Sequence, residues 1–309
     1  MTPRKLLKPM AYALVALAFY YFLSELYKRL GDIPPIHWDA YGVLAALASV
    51  LGVAATIALN GYMWRALLLD QGVAPSLPKA MQIIAIAQFG KYLPGNVGHY
   101  AGRAALGSAV GIPVAVTLST ILVETVWNLA VGAGFAALAL LLFSRALLPM
   151  LPYSLGPLGL GLLTAGLLVV PAIAIRLFNH FFPALSQRLG GGKPLATSSF
   201  KTSLMVGAVV LLGFLILGGV LKLQAMWLFG IDAGHYPTMT ILFAASWLVG
   251  YVVPGAPGGV GVREAMMVLL FTPVVGAGAA VGLGVSMRLA TMLGDSLAFG
   301  LGLMSRKVL

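Results

Sequence analysis

The sequence predicts an all-α integral membrane protein, with about six spanning helices and two helical hairpins that are broken in the middle. Of its 309 residues, 60% are hydrophobic and only 9% are charged, whereas a soluble domain carries about 25% charged residues. Apolar runs of roughly 18 or more residues recur along the chain, and the alternation of a β-barrel is absent. The third observation is an internal repeat, because residues 90–103 and 250–263 share three glycines, one of them in a Pro-Gly pair, and an arginine in register.

Six uninterrupted apolar segments are predicted as spanning helices. They are 9–28, 41–66, 114–144, 157–177, 202–229 and 284–305. The first of them resembles a signal peptide, but no small-residue cleavage site follows it, so we expect a retained span. Segments 79–111 and 236–276 contain the Pro-Gly pairs and are predicted as re-entrant hairpins, because their arms are short. Two full spans in each segment stay open as an alternative, since the net orientation would be the same.

Basic residues predict the orientation in the membrane. Lys and Arg occur at 4–8, in the connection 177–201 and at 306–307, whereas the loop 31–39 has none. The positive-inside rule therefore predicts that both termini and the 177–201 connection are cytoplasmic. The basic pair at 28–29 is the exception, and we expect it to snorkel or to pair with acidic neighbours.

These orientations predict an inverted repeat within one polytopic domain, residues 1–309. Repeat one, about 41–144, and repeat two, about 202–305, have the same order of span, hairpin and span but opposite orientations. A pseudo-two-fold axis in the membrane plane would bring the two Pro-Gly loops together near the bilayer midplane, where transporters built this way bind their substrates.

The two Pro-Gly loops are the predicted centre of the site. Glycines crowd residues 255–261, which favours broken helices over continuous helices with a proline kink. Irregular backbone at membrane depth survives only where protein covers it or where it lines a cavity. The predicted loop residues of the site are Pro94, Gly95 and Gly98 in the first copy, and Pro254, Gly255, Gly258, Gly259 and Gly261 in the second.

Ionisable residues inside apolar segments are costly and mark either a functional site or internal ion pairs. Arg103 and Arg263 each follow a glycine loop near the start of a helix, where free N–H groups and a guanidinium together can bind an anion. Pairing with Glu124, Glu264 or Asp295 is the alternative, and both interpretations can hold at once. The predicted substrate-binding residues are Arg103, Arg263, Glu264, Lys91, Glu124, Arg288 and Asp295.

No catalytic residues, metal site or cofactor site are predicted. The four histidines are scattered, there are no cysteines, and neither glycine-rich stretch leads into Gly-Lys-Ser/Thr. The net charge of +11 comes from connections and helix ends rather than from a basic patch with interleaved aromatic residues. Nucleic-acid binding is therefore not expected.

Two motifs carry a resemblance to a known family over nearly the whole chain. GKYLPGNVGHYAGR at 90–103 and VPGAPGGVGVRE at 253–264 resemble the flippase-type transmembrane domain of lysylphosphatidylglycerol synthases and its stand-alone homologues. The resemblance implies a bacterial or archaeal protein of the plasma (inner) membrane that handles phospholipids, isoprenoid-linked lipids or hopanoid-type lipids. It places functional positions at Arg103, Arg263 and Glu264, although Ala104 stands where the second copy has its glutamate. The soluble aminoacyl-transfer domain is not recognised, so lysyl transfer is not implied.

The leading hypothesis is a lipid translocase that moves an anionic phospholipid or a polyprenyl-linked lipid between leaflets. Arginines at the paired loops would hold the head group, and the carboxylates would compensate their charge or couple transport to protons. A membrane transferase or accessory subunit and a small-anion transporter stay open as alternatives, although a non-enzymatic role is favoured. The expected partner is a membrane lipid, and a partner synthase, a partner transferase or a homodimer is compatible with the sequence.

Overall fold

The computed structural model describes residues 3–93, 97–147, 173–189 and 192–305, together with positions 159, 162 and 166. Within these ranges all regular structure is helical. The predicted span 157–177 falls mostly outside the described residues. Pro94 and Gly95 of the first loop and the basic residues 306–307 lie outside them as well.

The helices follow one another along the chain with short connections. Their bounds are α1 Pro3–Arg29, α2 Ala40–Asp70, α3 Leu77–Gln88, α4 Gly98–Ala109, α5 Val114–Leu147, α6 173–181, α7 Pro183–Leu189, α8 Phe200–Leu223, α9 Tyr236–Val252, α10 Val262–Val275 and α11 Ala277–Met304. A π-helical turn, Gln224–Leu228, extends α8. Five described segments are long and apolar enough to cross a membrane: Ala40–Asp70, Val114–Leu140, Phe200–Leu228, Pro257–Val275 and Ala277–Met304. The prediction of an all-α integral membrane protein is confirmed.

Four of these five segments coincide with predicted spans, and the fifth, Pro257–Val275, lies in the second Pro-Gly segment. The last span begins at Ala277 rather than at 284. Gly276, with φ of 86°, ends α10, and α11 starts directly after it. The start of α11 is rich in alanine and glycine, so its hydrophobicity alone predicts a spanning helix only weakly. The structure packs it closely, because Cβ atoms at Gly278 and Gly282 would meet the backbone of Asp32 and the ring of Phe229.

Both Pro-Gly segments are broken into two helices, as predicted. A 3-10 turn, Phe89–Tyr92, ends the first arm of one segment, and α4 begins at Gly98. In the other, nine residues separate α9 from α10, and a 3-10 turn at Pro257–Gly259 lies among them. The four glycines of this stretch have positive φ, which residues with a side chain rarely adopt. The angles are 89° at Gly255, 55° at Gly258, 71° at Gly259 and 80° at Gly261.

The elements of the two halves make corresponding contacts. Helices α2 and α8 pack against each other, and each also packs against the first arm of its own hairpin, α3 or α9. Helix α3 contacts α11, and α9 contacts α5. The two loops meet as well, since a Cβ on Gly258 would lie 3.7 Å from the side chain of Lys91 and 3.6 Å from that of Tyr92.

The C-terminal end of α1 confirms the expected pairing of the exceptional basic residues. Lys28 Nζ lies 3.2 Å from Glu25 Oε1. Arg29 Nη1 lies 3.4 Å from Asp32 Oδ2. These cations are therefore neutralised locally by acidic residues three positions away.

The arms of the first hairpin touch where they leave the loop. A Cβ on Gly90 would lie 2.6 Å from the carbonyl carbon of Gly98, which is backbone and cannot give way cheaply. A Cβ on Gly102, one turn further along α4, would lie at an ordinary 3.5 Å from Ala87. The close approach of the two arms therefore depends on one glycine and not on the other.

We expect Gly90→Ala to lower the free energy of unfolding by about 2 kcal/mol, because the arms must separate. The matched variant Gly102→Ala should be neutral or stabilising by up to about 1 kcal/mol, because alanine favours the helix. Thermal unfolding of both purified variants in detergent measures the difference. Equal losses at the two positions would contradict the close approach.

Candidate functional site

Two adjoining cavities, here together called the central cavity, lie where the two broken segments meet. Their volumes are about 140 and 150 Å³. Residues from both halves line both of them: Asn60, Gln88, Lys91, Asn128, Trp247, Arg263 and Thr291. The first cavity adds polar and aromatic side chains: His99, Tyr100, Arg103, Glu124 and Tyr251. The second extends between α2 and α8, where its wall is largely apolar.

Arg103 lies in the middle of α4, rather than near the helix start as predicted, and is paired with Glu124 on α5. Its Nη1 lies 2.6 Å from Glu124 Oε2 and its Nη2 lies 3.3 Å from Oε1, so the contact is bidentate. Both side chains are at least nine-tenths buried. The guanidinium also lies 5.6 Å from the ring centre of Trp64 on α2. This pair matches the charge of Arg103 and fastens the first hairpin to the following helix.

Lys91 of the first loop is paired with Asp295 on α11, in the other half of the chain. The distance from Nζ to Oδ2 is 2.6 Å, and Asp295 is 1% exposed. The hydroxyl of Tyr92 donates a hydrogen bond to the same oxygen. This pair therefore fastens the first loop to the second half.

Glu264 is shared between two arginines. Its Oε1 accepts hydrogen bonds from Arg288 Nε at 2.9 Å and from Arg263 Nε at 3.3 Å, and Arg288 Nη2 lies 2.6 Å from the same atom. Its Oε2 accepts from the backbone N–H of Gly261 at 2.8 Å, which caps α10. Arg288 Nη1 also donates to the carbonyl of Gly258 at 3.1 Å. The network holds the second loop in shape.

The described side chains in these networks comprise four cations and three carboxylates. Two carboxylates belong to the first two pairs, and the third serves both Arg263 and Arg288. Arg288 makes the shorter contact with Glu264, 2.6 Å against 3.3 Å. The charge that remains unmatched is therefore best assigned to Arg263, which is 6% exposed and makes the longer contact. The Nη2 atoms of both arginines lack a hydrogen-bond partner. A buried cation without a counter-charge costs several kcal/mol.

Other polar groups of the cavity lack partners in the described part of the chain. They are Arg103 Nε, His99 Nδ1 and Asp295 Oδ1, which are buried. Buried polar groups in proteins are normally hydrogen-bonded. Unpartnered atoms that gather at a cavity therefore indicate where a bound molecule or water would bind.

An aromatic wall completes the first cavity. Trp247 and Tyr251 stack with ring centres 4.6 Å apart and planes 15° from parallel. The hydroxyl oxygens of Tyr251 and Tyr100 lie 2.6 Å apart, and Thr125 Oγ1 lies 3.5 Å from each. These three hydroxyls, here called the hydroxyl cluster, connect the two hairpins to α5.

All seven predicted substrate-binding residues belong to this region. Lys91, Arg103, Glu124 and Arg263 line the first cavity. Asp295 lines the second. Glu264 forms hydrogen bonds with Arg263 and with the backbone of the second loop, and Arg288 also contacts that loop. Of the predicted loop residues, Gly258 and Gly259 line the first cavity. The role of these residues in binding stays a prediction.

Sequence reasoning missed Asn60, Tyr92 and the hydroxyl cluster of Tyr100, Thr125 and Tyr251. Asn60 is an amide inside an otherwise apolar predicted span, and this signal was readable in the sequence. Tyr92 is adjacent to Lys91 within the first copy of the repeat, but a tyrosine beside a membrane span is commonly an interfacial anchor. Among the described residues, no group of three or more His, Asp or Glu side chains could hold a metal ion.

The comparisons with known proteins agree with the resemblance seen in the motifs. The model of the protein family described as the lysylphosphatidylglycerol synthase TM region matches residues 10–298. This match covers nearly the whole chain and includes both Pro-Gly segments and all of the cavity lining. No curated protein matches the chain.

Proposed function

Because the chain belongs to the family of the lysylphosphatidylglycerol synthase TM region, we propose that it is a lipid translocase that binds an anionic head group at Arg263. The observation that carries the proposal is the unmatched, buried guanidinium of Arg263 in a cavity between two broken helical segments. A phosphate supplies the missing charge, and its oxygens suit the planar donors of a guanidinium.

An apolar wall favours a lipid over a small anion. Beyond Arg263 the second cavity is lined by Val53 and Ile57 of α2 and by Val209, Val210 and Phe214 of α8. A hydrocarbon chain attached to the head group would bury against these side chains, whereas a free anion would leave them in contact with water. We therefore assign the polar end to the head group and the apolar end to the upper part of the hydrocarbon chain.

The translocation mechanism that we propose depends on an inverted repeat of residues 41–144 and 202–305. The corresponding contacts support it, since α2 with α3 matches α8 with α9, and α3 with α11 matches α9 with α5. In the proposed arrangement, a two-fold axis through the touching loops would relate these contacts. Rocking of the halves about the loops would expose Arg263 to each leaflet in turn.

Helix lengths support re-entrant hairpins. Helices α3 and α4 have 12 residues each, which is about 18 Å, against a hydrocarbon core of about 30 Å. Helix α10 has 14 residues, or about 21 Å. The segment Pro257–Val275 reaches a spanning length only by including the 3-10 turn and the glycines of the loop. We therefore propose that both loops lie within the membrane.

The matched ion pairs have a supporting role in this proposal. Glu124 and Asp295 keep Arg103 and Lys91 neutralised whether or not a lipid is bound. When the site is empty, Glu264 pairs with both Arg263 and Arg288. When a phosphate binds Arg263, Glu264 can pair with Arg288 alone. The expected setting is the plasma membrane, with both termini and the 177–201 connection in the cytoplasm.

Leaflet exchange in liposomes tests the proposal. The protein would be reconstituted with phosphatidylglycerol or phosphatidylcholine labelled on an acyl chain, and exchange would be followed by quenching of the outer leaflet. We expect faster exchange of the anionic lipid, and a roughly tenfold to hundredfold loss in Arg263→Gln, because hydrogen bonds to a charged group are removed. Arg65→Gln is the matched control, since Arg65 donates to the carbonyl of Pro75 outside the cavity.

The alternatives give different results in the same liposomes. Uptake of radiolabelled phosphate without lipid exchange would indicate a small-anion transporter. A lipid of changed mass would indicate a transferase. Absence of exchange for every anionic lipid, in protein shown to be folded, would overturn the translocase proposal.

A further inference from the structure

We infer that the central cavity selects a net-negative phosphate diester whose head group carries neutral hydroxyls, as in a glycerol or sugar phosphate, and disfavours an aminoacylated, cationic head group. This inference rests on the proposed function, because it names the class of lipid that the same site takes. Three independent features of the cavity support it.

The first feature is that no carboxylate is left to bind an ammonium group among the described residues. Glu124 is paired with Arg103, and Glu264 serves two arginines. Asp295 has one oxygen without a hydrogen bond, but its charge is matched by Lys91 at 2.6 Å and its side chain is 1% exposed. An ammonium group would therefore enter a cavity with an excess positive charge and find no free counter-charge.

The second feature is a set of neutral amides on the wall. Asn60 of α2 and Gln88 of α3 line both cavities. Asn128 of α5 lies beside them and uses its amide nitrogen to donate to the carbonyl of Glu124 at 3.0 Å. An amide group both donates and accepts, as a hydroxyl does, whereas an ionised phosphate only accepts. Hydroxyls next to the phosphate could therefore donate to the carbonyl oxygens of these amides and accept from their NH₂ groups.

The third feature is the aromatic wall. Trp247 lines both cavities and stacks on Tyr251, so it presents a flat apolar face beside the amides. A sugar ring or glycerol unit has an apolar C–H face and polar hydroxyl edges, which suits this combination. An aromatic face also attracts cations, but here Arg263, which shares its carboxylate with Arg288, lines the same space and repels them.

Short-chain lipids of equal phosphate charge test the inference on the purified protein in detergent. The probes are dioctanoyl phosphatidylglycerol, dioctanoyl phosphatidylethanol, which lacks the hydroxyls, and dioctanoyl lysylphosphatidylglycerol. We expect phosphatidylglycerol to bind tightest by calorimetric titration, and Gln88→Leu to reduce its advantage over phosphatidylethanol by about two- to tenfold, as for one lost hydrogen bond. Asn60→Leu should give a second such loss. Gln187→Leu, the same change at an exposed position on α7, should keep the ratio.

The outcomes separate this inference from the proposed function. Equal binding of phosphatidylglycerol and phosphatidylethanol, an unchanged ratio in both cavity variants, or tighter binding of the lysyl lipid would overturn the inference. Arg263→Gln should weaken all anionic probes. If it does not, the proposed function fails as well, whereas Arg263-dependent binding without a hydroxyl effect would overturn the inference alone.

Discussion

Glu264→Gln should lower the free energy of unfolding by about 3–5 kcal/mol, the loss expected when a buried charge loses its partner. The carboxylate is 2% exposed and faces Arg288 Nη2 at 2.6 Å and Arg263 Nε at 3.3 Å. Its amide replacement can still accept the hydrogen bond from Gly261 N–H, so the change isolates the charge. Two buried cations would then lie beside each other without an acid.

Unfolding in detergent, by heat or by sodium dodecyl sulfate, measures this effect. The matched control is Glu25→Gln, which removes a carboxylate from the more exposed pair with Lys28 at the end of α1. Such pairs contribute about 0–1 kcal/mol. Similar losses for the two variants would show that the buried network does not depend on the charge of Glu264.

Arg263→Gln should stabilise the ligand-free protein, in contrast to Glu264→Gln, although it should impair function. Removing the unmatched cation relieves a buried charge, so the ligand-free protein should gain about 1 kcal/mol or more. Affinity for an anionic head group should fall roughly tenfold to hundredfold, because charge-assisted hydrogen bonds are lost. Arg263→Lys should retain part of the affinity, because the charge stays while the planar donor geometry is lost.

Arg103→Gln provides the matched control for stability, because Arg103 occupies the corresponding position in the first copy of the repeat. Its removal leaves Glu124 buried without a cation, so the loss should be about 3–5 kcal/mol. A double-mutant cycle of Arg263→Gln with Glu264→Gln adds a second check, since the double variant should be more stable than the Glu264→Gln single variant. If Arg263→Gln is as destabilising as Arg103→Gln, then Arg263 is a structural residue.

The two copies of the repeat therefore differ in the use of their arginines. Arg103 has an acid of its own on α5, whereas Arg263 must share Glu264 with Arg288. Within the two motifs, the difference is visible in the sequence as Ala104 against Glu264. We expect the first copy to supply rigidity and the second to supply the charge that recruits the ligand.

Much of the fold was predictable from the sequence. Apolar segments identify spanning helices because the bilayer requires a continuous run of apolar side chains. Clustered glycines and prolines identify the breaks, because glycine adopts positive φ at little cost and proline removes a backbone hydrogen-bond donor. The start of α11 at Ala277 was missed, because its small residues gain stability from close packing rather than from their own hydrophobicity.

For the site, the sequence by itself determined which ionisable residues lie inside apolar segments and that an arginine follows each Pro-Gly break. It could not determine how they pair. Lys91 meets Asp295 across the two halves, Arg103 meets Glu124 on the next helix, and Arg263 is left with a shared acid. Only the tertiary structure decided this, because an ion pair requires an approach of a few ångströms between helices that are distant in sequence, and side-chain periodicity contains no information about that distance.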